Sequence, residues 1–403
     1  MAISLNTKTT KHLIITFLIE SLLVINLFFA LFPAWRLSPL WNYMGEDGYF
    51  SVWFGILTKI NLLIFVSILF LNHKIVSKTI LLIIILLAIL MLTSMTANNA
   101  ASGFGTLIIF PFEYIVLFTI IPQYHLKSSL IKIAIIAMLL WAVIPIILMI
   151  IGPSHVQLAL ITGAKGEIST FGGLAYHRNF YGFYTGLVLL LVIVSPIRTF
   201  LKYSSIIACG IGLILSGSRS GIACFIVAIM WYLFITNKKR FIKLLPIVLT
   251  SGIIFFSLLS YFNIRDKGID GNDDRYEIMN GFVSTIQDAP FLGQGKSTIY
   301  FSPSFPEGAP AHNFILQIWS DFGLITLLIF MLLLFLLYNR GNNVFKTALI
   351  YLICIGLTQP YFNLSIPNDM LIIICLIGNS SLYQIQKYNN RYTKIQFSNT
   401  PNL

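Results

Sequence analysis

Residues 79–96 read TILLIIILLAILMLTSMT, and no charged side chain occurs from Thr79 to Phe112. Leucine and isoleucine fill every phase of the helical period here, so no polar face is left to meet water. At 1.5 Å per residue, about 20 such residues cross the hydrocarbon core of a bilayer. Outward from this stretch, comparable runs occur at 12–32, 51–71, 105–121, 129–151, 179–196, 204–216, 220–236, 244–262, 314–337, 347–362 and 370–386. The pattern predicts an all-α, polytopic integral membrane protein of about twelve transmembrane helices. They form a single transmembrane domain over residues 1–403. The run 204–216 is short, so its helix is expected to begin earlier or to tilt.

Composition agrees with this reading. The chain is 57% hydrophobic and 10% charged, with a mean hydropathy of +0.86. Soluble domains carry about 25% charged residues. A net charge of +12 would point to nucleic acid in a soluble protein. In a membrane protein it reports topology instead, and no nucleic-acid partner is expected. Cys209, Cys224, Cys354 and Cys375 all fall in apolar runs without metal-ligand spacing, so they read as small core residues. The first apolar run carries Glu20 and lacks a small-residue cleavage site, so no removable signal peptide is expected.

The charges sort by side. With the N-terminus inside, one side collects Lys8, Lys11, Lys74, Lys78, Lys127, Lys132, Arg198 and Lys202. It also collects Lys238, Lys239, Arg240, Lys243, Arg340, Lys346, Lys387, Arg391 and Lys394. Of the 14 acidic residues, Glu20 and Glu113 lie in spans and the rest fall on the opposite side or at its edge. This asymmetry predicts an even number of spans with both termini cytoplasmic.

Two outer loops are long, 152–178 and 263–313, and long loops are usually functional. In the larger, Tyr276, Met279, Val283 and Ile286 recur at helical spacing behind Asp273 and Asp274, which can cap a helix, and Pro290 closes it. Gly293-Gln294-Gly295 predicts a turn, and the Pro- and Gly-rich stretch from Ser302 to Pro310 predicts irregular backbone. No repeat relates the two halves of the chain.

Four groups of outer-side residues can carry chemistry. Arg219 sits in Ser216-Gly217-Ser218-Arg219-Ser220-Gly221 between two apolar runs. Glycine and serine leave room and donors there for a phosphate-like anion, and the alternative is an interfacial arginine that snorkels to water. A central arginine instead of serine excludes a nucleophile elbow. Arg275, at the start of the loop helix, can bind diphosphate or pair with neighbouring acids. His312, before Asn313, can act as a general base near neutral pH, or the pair can simply cap the following helix. His177 and Arg178, in Tyr176-His177-Arg178-Asn179, bring a second cationic pair to the same side, or anchor the interface. Such a cationic cavity, open to lipid and to the outer space, suits a lipid-linked diphosphate. No metal site is recognisable, so metal-independent chemistry without a cofactor is expected.

The SGSRSG turn at 216–221, Arg275, PFLGQG at 290–295 and AHNFILQIWSDFGLI at 311–325 together resemble the O-antigen polymerase and O-antigen ligase superfamily. The resemblance implies a membrane glycosyltransferase of lipopolysaccharide biosynthesis at the periplasmic face of the bacterial inner membrane. Its donor would be a glycan on undecaprenyl diphosphate. The loop between helices 9 and 10 would be periplasmic. The resemblance also implies Arg219 and Arg275 as diphosphate binders and His312 as base. Asn313, Arg178 and His177 are expected as further substrate contacts. Inner membrane lipids and a chain-length regulator join the expected partners. A polymerase extends the next lipid-linked repeat unit, whereas a ligase moves the finished glycan to lipid A core. The two long outer loops resemble the polymerase arrangement. Outside this class, a lipid-linked oligosaccharide flippase or another transporter would also need a cationic cavity. It would have less need of a large outer loop bordered by a histidine.

Overall fold

The computed structural model describes residues 78–97, 114–115, 128–161, 171–173, 178–194, 199–261, 270–295, 298–303 and 305–358. The expected spans 12–32, 51–71 and 370–386, most of 105–121, and His177 lie outside the described residues. The helices are α1 (Lys78–Ala97), α2 (Ser128–Ile151), α3 (Ser154–Ile161), α4 (Arg178–Val194) and α5 (Thr199–Leu215). They continue as α6 (Arg219–Thr236), α7 (Lys238–Tyr261), α8 (Asp270–Asp288), α9 (Phe314–Arg340) and α10 (Asn343–Gly356). Between α8 and α9 lies a two-stranded antiparallel sheet, β1 (Tyr300–Ser302) and β2 (Phe305–Ala309).

The apolar runs among the described residues became helices near their expected places. The short run 204–216 begins earlier, as α5 from Thr199. Among the described residues, three helices, α1, α6 and α9, are long and apolar enough by length and composition to cross a membrane. α1 shows why such a helix has no polar side. Ile80, Ile84, Leu87, Met91 and Met95 are buried against protein, while Leu82, Ile85, Leu86, Ile89 and Leu92 on the other faces are exposed. An apolar stripe left outside the core is stable when lipid covers it.

Specific contacts fix how the helices run. α4 is buried along most of its length and packs against α2, α5, α6 and α10. α5 is antiparallel to it: Gly212 lies against the Tyr181 hydroxyl near the start of α4, and Lys202 Nζ donates to the Ile193 carbonyl at 2.6 Å near its end. The start of α6 touches the start of α4, because Gly182 packs on Ser216 and Ser218 with no room for a side chain. At the far end Trp231 of α6 meets Tyr338 of α9, with ring centroids 6.2 Å apart. α10 turns back there, Lys346 Nζ standing 5.1 Å from the centre of the Tyr338 ring. Its Tyr351 hydroxyl donates to the Phe183 carbonyl of α4 at 2.7 Å, and α10 packs along α6. α4, α6 and the part of α9 after its break at Gly323 therefore start at one end of the bundle, where α10 finishes.

The outer loop corrects two expectations. α8 starts at Asp270, so Asp273 and Asp274 lie inside its opening turns rather than ahead of it. The stretch from Ser302 to Pro310 is not irregular throughout, because Phe305–Ala309 pairs with Tyr300–Ser302. The hairpin forms because α8 supplies an apolar stripe to lie on. Ile278 and Phe282 pack with Ala309 and Ala311, and Tyr300 and Leu316 close the cluster. Tyr300 also donates from its hydroxyl to Glu277 at 3.4 Å. Partial burial, then the Glu277 charge, holds that hydroxyl above its ordinary pKa, so it stays protonated and able to donate.

Candidate functional site at one end of the helix bundle

The turn before Arg219 is locked by its own serines. Ser216 Oγ donates to the Leu213 carbonyl at 2.6 Å and accepts from the Ser218 amide at 3.2 Å. Gly217, with φ of 58°, takes the left-handed conformation that the reversal needs. Ser218 is the N-cap of α6, its Oγ accepting from the Gly221 amide at 3.2 Å. Ser216 and Ser218 are buried and Arg219, the first helical residue, is exposed. This corrects the reading for Ser216, whose hydroxyl proton is used inside the protein; Ser218 gives the cap a lone pair, and its Oγ lies 3.5 Å from Ser220 Oγ. The arginine is what the turn presents outward, where the helix N-terminus adds partial positive charge.

His312 stands at the start of α9 with φ of 51°, the one non-glycine residue with positive φ among the described residues. That conformation costs an ordinary side chain about 1–2 kcal/mol, so flanking contacts must impose it. On one side Asn313 caps α9, its Oδ1 accepting from the Ile315 amide at 2.9 Å and the Leu316 amide at 3.4 Å. This commits Asn313 Oδ1 to the helix and leaves only Nδ2 for a substrate. On the other side the Ala311 amide donates to Gln317 Oε1 at 3.0 Å. The imidazole is half-buried, with Nδ1 shielded from solvent.

Beyond the cap, α9 is broken at Gly323, where φ is 83° and ψ 171°. In an unbroken helix the Leu324 amide would bond the Ser320 carbonyl, and the Ile325 amide that of Asp321. The segment 290–295 meets the groups that the break releases. The Leu324 amide donates to the Pro290 carbonyl at 3.0 Å, the Gln294 amide to Ser320 at 2.8 Å and the Gly295 amide to Asp321 at 2.7 Å. Trp319 Nε1 also donates to the Pro290 carbonyl, at 2.8 Å. These bonds answer, within the protein, backbone groups that lipid could not.

Arg275, exposed, stands one turn ahead of Ile278 on α8, and Ile278 and Phe282 pack with Ala309 and Ala311, just before His312. Arg219 does not join that cluster, since α6 packs chiefly on α4, α7 and α10. It nevertheless occupies the same end of the bundle as the α9 break at Gly323 and the backbone of Arg178, which opens α4. The opposite end carries Lys78, Lys202, Lys238, Lys239, Arg240, Lys243, Arg340 and Lys346.

Sequence reasoning missed the groups that hold His312. Asp321, 1% exposed, accepts from the Thr298 amide at 2.6 Å and from Gln317 Nε2 at 3.0 and 3.2 Å. Gln317 Nε2 also donates to the Thr298 carbonyl at 3.0 Å. The available signal was a Gln and an Asp four residues apart at the head of an apolar helix, where polar side chains are rare unless they bond one another.

The described residues form a mostly helical bundle with three helices long and apolar enough to cross a membrane, and the candidate chemistry lies at one end of it. Residues 203–331 match a family model described as O-Antigen ligase, and this match carries Arg219, Arg275 and His312 within it. Over that segment, which holds the candidate site, the chain is similar to this family. A comparison with curated proteins gave no match.

Proposed function

We propose that the protein is an O-antigen polymerase. It transfers glycan from an undecaprenyl-diphosphate-linked donor onto a lipid-linked repeat unit at the periplasmic face of the inner membrane. The observation that supports glycan transfer, common to polymerase and ligase, is the family match over 203–331, with Arg219, Arg275 and His312 inside it. The separation of lysines from the site end supports the orientation, because basic residues favour the cytoplasmic side.

The chemistry follows from the side chains. Arg219 and Arg275 bind the donor diphosphate and stabilise the charge it gains on leaving. His312 takes the proton from the acceptor hydroxyl as its oxygen bonds the anomeric carbon and the carbon–diphosphate bond breaks. Undecaprenyl diphosphate departs with the bonding electrons.

The long loops 152–178 and 263–313 favour the polymerase reading. The family description favours a second, in which a ligase transfers the finished glycan to lipid A core. The lipopolysaccharide gel profile of a strain lacking the gene, with lipid-linked glycan assayed beside it, separates them. A polymerase predicts collapse of the ladder to core bearing a single repeat. Loss of all O-antigen from the core, with long chains accumulating on undecaprenyl diphosphate, would establish the ligase. Single repeat units trapped on the cytoplasmic face would make the protein a flippase.

A further inference from the structure

We propose that Asp321 is a positioning residue for His312, acting through Gln317, and that it sets turnover without touching substrate. This inference rests on the proposed function, in which His312 is the base.

The geometry is a chain of hydrogen bonds with only one consistent polarity. The Asp321 carboxylate can only accept when ionised, and it faces the Thr298 amide at 2.6 Å and Gln317 Nε2 at 3.0 and 3.2 Å. The Thr298 carbonyl, 3.0 Å from the same Nε2, is a second acceptor. Two acceptors at one end of the Gln317 amide force its NH2 to lie there. The Oε1 end must then face Ala311, whose amide donates to it at 3.0 Å. Ala311 is covalently next to His312, and Asn313 on the other side is fixed by its cap. His312 is thereby held at φ of 51° between two anchored neighbours.

Asp321 also ties this chain to the rest of the fold. Its carbonyl accepts from the Gly295 amide at 2.7 Å and from Ser94 Oγ of α1 at 3.3 Å. One residue therefore joins α1, the segment docked in the α9 break, the approach to β1 and the backbone before His312. A carboxylate is the side chain that accepts at both oxygens, and its amide isostere does not.

Asp321→Asn tests the polarity. The substituted amide keeps its oxygen toward the Thr298 amide and Gln317 Nε2, and its NH2 replaces the second acceptor 3.2 Å from that nitrogen. The Thr298 carbonyl prevents Gln317 from turning over, so its amide must shift away from the new NH2, and its Oε1 moves off the Ala311 amide. Gln317→Leu removes the same acceptor by another route. With purified protein in nanodiscs and lipid-linked glycan extracted from a strain lacking the gene, both variants should lose about tenfold to a hundredfold in kcat, the cost of small misplacements at a reacting centre. KM for the donor, binding of undecaprenyl diphosphate itself and the melting temperature should stay near wild type. Normal kcat in both variants, a raised KM with kcat kept, or a loss that merely tracks folded protein would overturn the proposal. His312→Ala is assayed alongside. If it turns over normally, the base assignment fails and the positioning role with it. If it is inactive while both other variants work, the positioning proposal alone fails.

Discussion

Gly323 of α9 lies against the carbonyl of Phe291, so close that a side chain at 323 has nowhere to go. Its φ of 83° is the second reason why this position excludes other residues. The broken helix and the segment 290–295 are one unit, each satisfying backbone groups of the other.

Gly323→Ala should therefore act at two levels, strain and collision, and cost about 2–4 kcal/mol. The expected outcome is a sharp fall in folded yield and melting temperature in detergent. Gly210→Ala is the matched control, because nothing lies within 4 Å of a Cβ there. It should leave both measurements near wild type.

Gly182→Val should separate the arginine turn from α4. A Cβ at 182 would lie 2.6 Å from Ser216 Oγ and collide with the Ser218 side chain, so the larger valine must displace the turn. Glycan elongation should fall at least tenfold, about 1.4 kcal/mol of barrier, with the protein still in the membrane. Normal elongation would show that the turn's position does not matter.

Arg219→Ala should abolish elongation at unchanged protein level, and Arg219→Lys should recover only part, because a point charge replaces a bidentate fork. His312→Gln should lower turnover more than donor binding. Full activity in His312→Gln would move the base elsewhere, and near-normal elongation in Arg219→Ala would remove that residue from the site.

The orientation can be read with single cysteines. A cysteine beside Lys296 should react with an impermeant thiol reagent applied from outside. One beside Lys239, at the start of α7, should not. The reverse pattern would invert the topology. Cys209, Cys224 and Cys354 sit inside helices, so background labelling from them should be low.

Which parts of the fold and site were legible follows from the range over which each is decided. Helices of a membrane protein satisfy their backbone bonds within one segment, so α1, α6 and α9 could be read from local runs of apolar residues. Charge placement is a property of each loop alone, so the clustering of lysines at one end was equally open to reading. Arg219 and His312 stood out because they border such runs, and Arg275 because it opens the amphipathic loop helix. The hairpin β1–β2 was not legible, since its strands are held by α8, and neither were the tasks of Ser216 and Ser218 within their own turn. Asp321, Gln317 and Thr298 meet across up to 23 residues of chain, and Ser94 reaches Asp321 across 227. Sequence alone thus determined a multi-span helical protein and its candidate cations. Only the tertiary structure decided what holds His312 in place, because a buried carboxylate gains its partners from segments that meet only on folding.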